Sequence, residues 1–198
     1  TVGKETYELP AFSFAIATMN PVELGQGTFP LSEAATDRFA IMINIGYLPP
    51  EEEEKLVNFD FKRVRLGTLL EKERIIELRA AINREVYLDE RLGRYVQRLV
   101  AASRPYNPDT DWHVHSPSEL VERGVDLGAS PRAIISWGRL AKVWALLMDG
   151  RDEVYPEDIQ ELAPYVLGHR IWLGPHAASH GLTTEMVILD VLDRVPVP

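Results

Sequence analysis

The helix written into residues 130–148 constrains this chain more than any other feature. Ser130 is a good N-cap and Pro131 suits the first helical position. Behind them come Ile134, Ile135, Trp137, Leu140, Val143, Trp144 and Leu147. Only Arg132, Ser136, Arg139 and Lys142 are polar, and they form one narrow stripe. A helix that is apolar on most sides must be covered on most sides. The pattern therefore predicts a helical bundle with this element at its centre, and Trp137 and Trp144 read as core packing rather than as a ligand cage.

The neighbouring sequence supplies partners for such a bundle. Leu88, Leu92, Tyr95, Val96, Leu99 and Val100 make an amphipathic stripe, with Asp89 as a cap. Ile75, Leu78 and Ile82 share a face. Residues 156–167 read as a helix opened by Pro156 and kinked at Pro164, and 184–195 as a closing helix. Ser103 to Gly128, with Pro105, Pro108 and Pro117, reads as a long polar connection.

The first third has a different pattern. In Phe12–Thr18 the large residues Phe12, Phe14 and Ile16 alternate with small ones, as in an interior strand. Phe39–Ile45 is almost continuously apolar, as in a buried strand of a parallel sheet. Leu31–Asp37 predicts a short helix between them, and Glu51–Glu54 after Pro50 fits a first helical turn, where carboxylates complement the macrodipole. Residues 1–9 read as a β-hairpin that begins abruptly at Thr1 without an initiator Met, which suggests a piece of a longer chain. The fold class expected is an α/β remnant of two or three strands in residues 1–60, followed by an all-α domain in 61–198.

Composition removes several function classes. A hydrophobic share of 45% can bury a core, and a net charge of −9 argues against non-specific nucleic-acid binding. With no cysteine there is no disulfide, thiolate catalysis or Cys-based zinc site. No run is long enough for a transmembrane helix, and the expected setting is cytoplasmic. His113 and His115 are too few for a metal site. Arg91, Arg94 and Arg98 read as a solvated or partner-facing surface, and His169-Arg170 as a dipole-compatible helix end.

Arg132 is in conflict with its position. A cation in the first turn of a helix opposes the dipole by about 0.3–1 kcal/mol. Either an anion such as phosphate arrives there, bound jointly by amides and guanidinium, or the arginine reaches a nearby carboxylate.

Several runs carry a family resemblance. They are Ala17-Thr18-Met19-Asn20-Pro21, Gly27 through Phe39, Gly128-Ala129-Ser130-Pro131-Arg132-Ala133, Val154-Tyr155-Pro156-Glu157-Asp158, Val166 through Ile171, and the closing Val195-Pro196-Val197-Pro198. In this order they resemble the MoxR family of AAA+ ATPases, so residues 1–60 would be the end of its α/β core and 61–198 its helical lid. The resemblance implies that Asn20 is the sensor 1 amide, facing the γ-phosphate or the attacking water. It implies that Arg38 is an arginine finger for the ATP of a neighbouring subunit, and that Arg132 is sensor 2 beside Ser130. Read without it, Asn20 is a turn residue before Pro21 and Arg38 a partner for Asp37 or Glu33. The sequence departs from the family at Met19, Ser32 and Ala35-Thr36, and its loop from Leu24 to Gly27 is longer.

The chain contains no G-x-x-x-x-G-K-[ST] run and no acidic strand end before Asn20. In the family both precede the stretch seen here, so this chain alone is expected to be inactive. ATP and Mg²⁺ would be held mainly elsewhere in the protein. The implied activity is ATP-driven, chaperone-like remodelling of a client protein by a ring, expected to be a hexamer, with neither nucleic acid nor membrane span involved. The alternative is a helical interaction module that uses no nucleotide.

Overall fold

The computed structural model describes residues 8, 10–19, 31–106 and 117–198. The expected hairpin (bar Glu8), Asn20, the 24–27 loop and the His113–His115 pair lie outside them. Contacts divide the chain into two compact units, one of residues 1–30 and 48–81, the other of 31–47 and 82–198.

In the second unit the elements in chain order begin with α1 (Glu33–Thr36). The helices α2 (Pro50–Leu56) and most of α3 (Lys72–Glu85) belong to the first unit, with α3 running from one into the other. The second unit continues with α4 (Glu90–Ala102), α5 (Glu119–Gly124), β1 (Val125–Leu127), α6 (Pro131–Asp149) and α7 (Pro156–Leu167). It closes with β2 (Trp172–Leu173), α8 (Pro175–Ser179) and α9 (Thr184–Arg194).

The helix 130–148 is indeed central. α6 buries Ala133, Trp137, Ala141 and Ala145, four residues at a spacing of four on one face. Three are alanines, so neighbouring backbones can come close, and Trp137 fills the space between them. Its indole N–H donates to the Ile159 carbonyl at 3.0 Å, satisfying the one polar group it buries. The surrounding core comes from α4 (Tyr95, Val96, Leu99, Val100), α7 (Ile159, Leu162, Val166, Leu167) and α9 (Val187, Ile188, Val191). Trp144 packs partly buried against this core and donates to Glu161. α6 ends at Gly150, whose φ of 66° is the left-handed conformation that glycine adopts without a Cβ penalty.

Three expectations need correction. The connection 103–128 is not all loop: Ser118 caps α5, and β1 follows directly. Pairing with a distant segment is what makes β1 a strand, and a pattern search within the segment cannot see that partner. Phe12–Thr18 and Phe39–Ile45 form no ladder, and the only paired strands among the described residues are β1 and β2. An interior parallel strand requires a neighbour on each edge. Among the described residues 12–18 has no strand partner, and Phe14 and Ile16 are exposed. The backbone of 39–42 instead bonds to side chains and to the end of α7. The expected covering of α6 on most sides holds, with Ile135, Leu147 and Met148 left exposed.

Removing the Trp137 side chain is expected to cost roughly 3–5 kcal/mol, as for other buried aromatics truncated to alanine. Urea denaturation of Trp137→Ala measures it, and a loss below about 1 kcal/mol would contradict the central packing. Two glycines give a contrast. A Cβ on Gly128 would meet the Ser103 carbonyl oxygen at 2.3 Å, whereas one on Gly138 meets only Leu88 Cδ2 at 3.5 Å. Gly128→Ala is therefore expected to lower the melting temperature. Gly138→Ala, in mid-helix, is expected to keep or raise it.

Candidate functional site

The start of α6 is positioned by the end of α4. Ser103 Oγ donates to the Val100 carbonyl at 2.8 Å and accepts from the Ala129 N–H at 3.1 Å. Arg104 Nε donates to the Ala129 carbonyl at 2.8 Å. These bonds hold the residue just before Ser130. On the other side, β1 and β2 pair antiparallel, with Leu127 opposite Trp172. β1 leads toward Ser130 and β2 follows Arg170, so the pairing places those two segments side by side.

Asp37 lies between them. It is the C-cap of α1, a helix started by Ser32, whose Oγ accepts from the Ala35 N–H. Thr36 is buried and donates its hydroxyl to the Ser32 carbonyl at 3.1 Å. Ser32 and Thr36, two of the departures from the family pattern, thus cap and tighten this turn.

The Asp37 carboxylate accepts from the Ser130 hydroxyl at 2.7 and 2.9 Å, from Arg132 Nη1 at 3.3 Å and from Arg170 Nε at 3.1 Å. Ser130 Oγ accepts in turn from the Arg132 backbone N–H at 3.1 Å, as an N-cap does. The anion foreseen at the start of α6 is here the chain's own carboxylate, the second of the two readings of Arg132.

The two arginines on this carboxylate differ. The Arg132 side chain is 56% exposed and that of Arg170 is 1% exposed. The Arg170 guanidinium has five N–H donors and every one is used. Nε meets the Asp37 carboxylate, Nη2 the Asp37 and Phe39 carbonyls, and Nη1 the Ala40 and Val166 carbonyls, all at 2.5–3.2 Å. Val166 belongs to the last turn of α7, where carbonyls have no helical partner, so the dipole-compatible helix end is real. Its main work is different: it grips the segment 37–40. His169 Nε2 adds a bond to the Phe39 carbonyl at 3.0 Å, and the Met42 N–H donates to the Tyr165 carbonyl at 2.9 Å.

Arg38 sits inside this gripped segment. Its backbone N–H bonds to the Ala35 carbonyl, while its side chain is exposed and takes no hydrogen bond or ion pair among the described residues. The expected alternative, a salt bridge to Asp37 or Glu33, does not form. Ser130 and Arg132 therefore meet at Asp37, with Arg38 next in sequence. Asp37 and Arg170 are the residues that sequence reasoning missed. The one signal available was a buriable charge pair, Asp37 within the run Gly27 through Phe39 and Arg170 within the run Val166 through Ile171, both already singled out.

Elsewhere the surface reading holds for Arg91, which pairs with Asp89, and for Arg94, which pairs with Glu90, but Arg98 is half-buried, lies over the Tyr95 ring and donates to the Pro196 carbonyl. Among the described residues no three His, Cys, Asp or Glu side chains are grouped as a metal site, and no helix is long and apolar enough to cross a membrane.

Burial alone would raise the pKa of Asp37, but the hydrogen bonds from Ser130 and Arg132 and the charge of Arg170 outweigh it, and the net direction is down. Burial lowers the pKa of His169, only partly offset by its bond to the Phe39 carbonyl. Both groups thus have folded pKa values below their unfolded ones. Their stabilisation is complete above the unfolded pKa and is lost as pH falls through the folded one. Acidification is expected to loosen the 37–42 segment in two stages, first below about pH 6.5 through His169 and then below about pH 4 through Asp37. Thermal melting against pH tests this, with His169→Gln expected to remove the upper stage. A wild-type melting temperature flat across that upper range would contradict it.

Comparison with known proteins gives a consistent answer. Residues 118–190 match the AAA lid domain, and residues 1–41 match the ATPase family associated with various cellular activities (AAA). The chain is 35% identical over 201 residues to the protein YeaC of Bacillus subtilis, covering all of this chain and 57% of that protein. It is 35% identical over 206 residues to chaperone MoxR1 of Mycobacterium tuberculosis, covering 100% and 50%. It is 31% identical to protein MoxR of Methylorubrum extorquens, covering 92% and 54%. A crystal structure of a Cytophaga hutchinsonii protein, assigned provisionally as an ATPase, superposes with a TM-score of 0.81 at 34% identity, over 100% of this chain and 58% of that one. The chain spans about half the length of the curated relatives it matches. With its runs in family order, its helical lid and these relatives, the chain belongs to the MoxR family of AAA+ ATPases.

Proposed function

We propose that this chain is the sensing portion of an ATPase whose complete protein couples ATP hydrolysis to remodelling or maturation of partner proteins. Residues 1–60 serve as part of the α/β core and 61–198 as the lid. Arg38 reaches as an arginine finger toward the ATP of a neighbouring copy in a ring, proposed as a hexamer in the cytoplasm. Arg132, beside Ser130, meets a phosphate of the copy's own ATP, and Asn20 orients the attacking water. ATP and Mg²⁺ are held mainly by a phosphate-binding loop and an acidic strand end that residues 1–198 do not contain. By themselves these residues would not turn ATP over.

Arg38 carries the reading. Its backbone is held on both sides while its guanidinium is exposed and without a partner among the described residues. A turn anchored so firmly around a free cation suits a ligand that comes from outside. A guanidinium matches the charge spread over the oxygens of a transferring phosphoryl group.

The pairing of Arg132 with Asp37 favours a second reading, a helical interaction module in which Arg132 already has its anion. Magnitudes weigh against it. An ion pair whose arginine is 56% exposed contributes about 0–1 kcal/mol, which a polyphosphate with more charge can displace.

ATPase assays on the full-length protein separate the two. Arg38→Ala is expected to reduce turnover by about 10³-fold or more while ATP still binds, as for other arginine fingers. Arg132→Ala is expected to weaken ATP binding. Normal turnover in the first variant would remove the finger assignment; normal affinity in the second would favour the nucleotide-independent module.

A further inference from the structure

We infer that Arg170 is a positioning residue for Arg38, an inference that rests on the finger reading above. The carbonyls of residues 37 and 39, immediately before and after Arg38, both accept from Nη2 of this one guanidinium, and that of residue 40 accepts from Nη1. Nε holds the Asp37 carboxylate, which also receives the Ser130 hydroxyl. The direction in which residue 38 leaves the turn is therefore set by a single planar group.

That group has little freedom. Its side chain is 1% exposed, so water does not replace a lost bond. All five donors are engaged in a fixed fork, so it cannot swing toward one acceptor without leaving another. It is itself anchored through Val166 to the end of α7 and through the following strand β2 to β1. Arg170 thus ties the presentation of Arg38 to the packed helices. Lysine cannot take its place, because an ammonium has three donors and no fork.

A merely structural arginine would also matter for activity, so the test must read where the defect falls. A finger acts on the neighbour's nucleotide, whereas a damaged lid harms its own. Full-length subunits carrying Arg170→Lys are assayed alone and in rings mixed with subunits whose phosphate-binding lysine is replaced. Alone, turnover is expected to fall roughly tenfold or more, since a 1 Å misplacement can cost about 10²-fold, with KM for ATP nearly unchanged. In mixed rings an intact Arg38 from the second subunit faces the intact ATP site of the first, and turnover returns. Arg38→Ala should be rescued in the same way, and Arg132→Ala should not. Rescue of Arg38→Ala without rescue of Arg170→Lys would overturn this inference alone. Failure to rescue Arg38→Ala would remove the finger reading and this inference with it. Circular dichroism and gel filtration check folding. Should Arg170→Lys not form rings, Asp37→Asn, which keeps an acceptor oxygen but not the charge, is put through the same mixing with the same outcomes deciding.

Discussion

The buried guanidinium of Arg170 is the interaction on which the candidate site depends. Removing a charge from water costs several kcal/mol unless its partners are close and complete. Here one carboxylate and four carbonyls complete it. The acceptors come from two stretches far apart in sequence, residues 37–40 and the last turn of α7. Losing one partner of such a buried pair costs roughly 3–5 kcal/mol, because the other is left uncompensated. This asymmetry makes the cluster behave as one unit.

The same carboxylate gives two arginines different characters. Arg170 meets Asp37 in a low-dielectric interior, where the pair is strong and fixed. Arg132 meets it at the surface, where water competes and the pair is weak. Asp37 can therefore serve as a permanent anchor for one guanidinium and as a replaceable counter-ion for the other. The proposal that Arg132 senses phosphate needs just this second kind of contact, and the proposal that Arg38 is firmly presented needs the first.

The helical bundle provides the frame that makes this arrangement possible. Ala133, Ala141 and Ala145 let α4 and α7 approach α6 closely, and Trp137 locks the remaining volume. Ser103, Arg104 and Gly128 then place the N-cap of α6 relative to the end of α4. The small β1–β2 ladder brings Arg170 alongside it. None of these parts is chemically reactive, yet each sets where a charged side chain stands.

The sequence by itself determined the helices, because a spacing of three and four residues, an N-cap and a proline act within a few residues of one another. α1, α2, α4, α6, α7 and α9 were legible for that reason, and so was the family, whose runs keep their order along the chain. Ser130, Arg132 and Arg38 were singled out from the same local runs. Only the tertiary structure decided that residues 39–42 spend their hydrogen bonds on Arg170, His169 and α7 rather than on a sheet. It alone decided that Asp37 is the anion at the start of α6, and that β1 and β2 are strands at all. Those choices depend on residues 45 to 133 positions apart meeting in space, and a one-dimensional pattern carries no record of which distant donor reaches which acceptor.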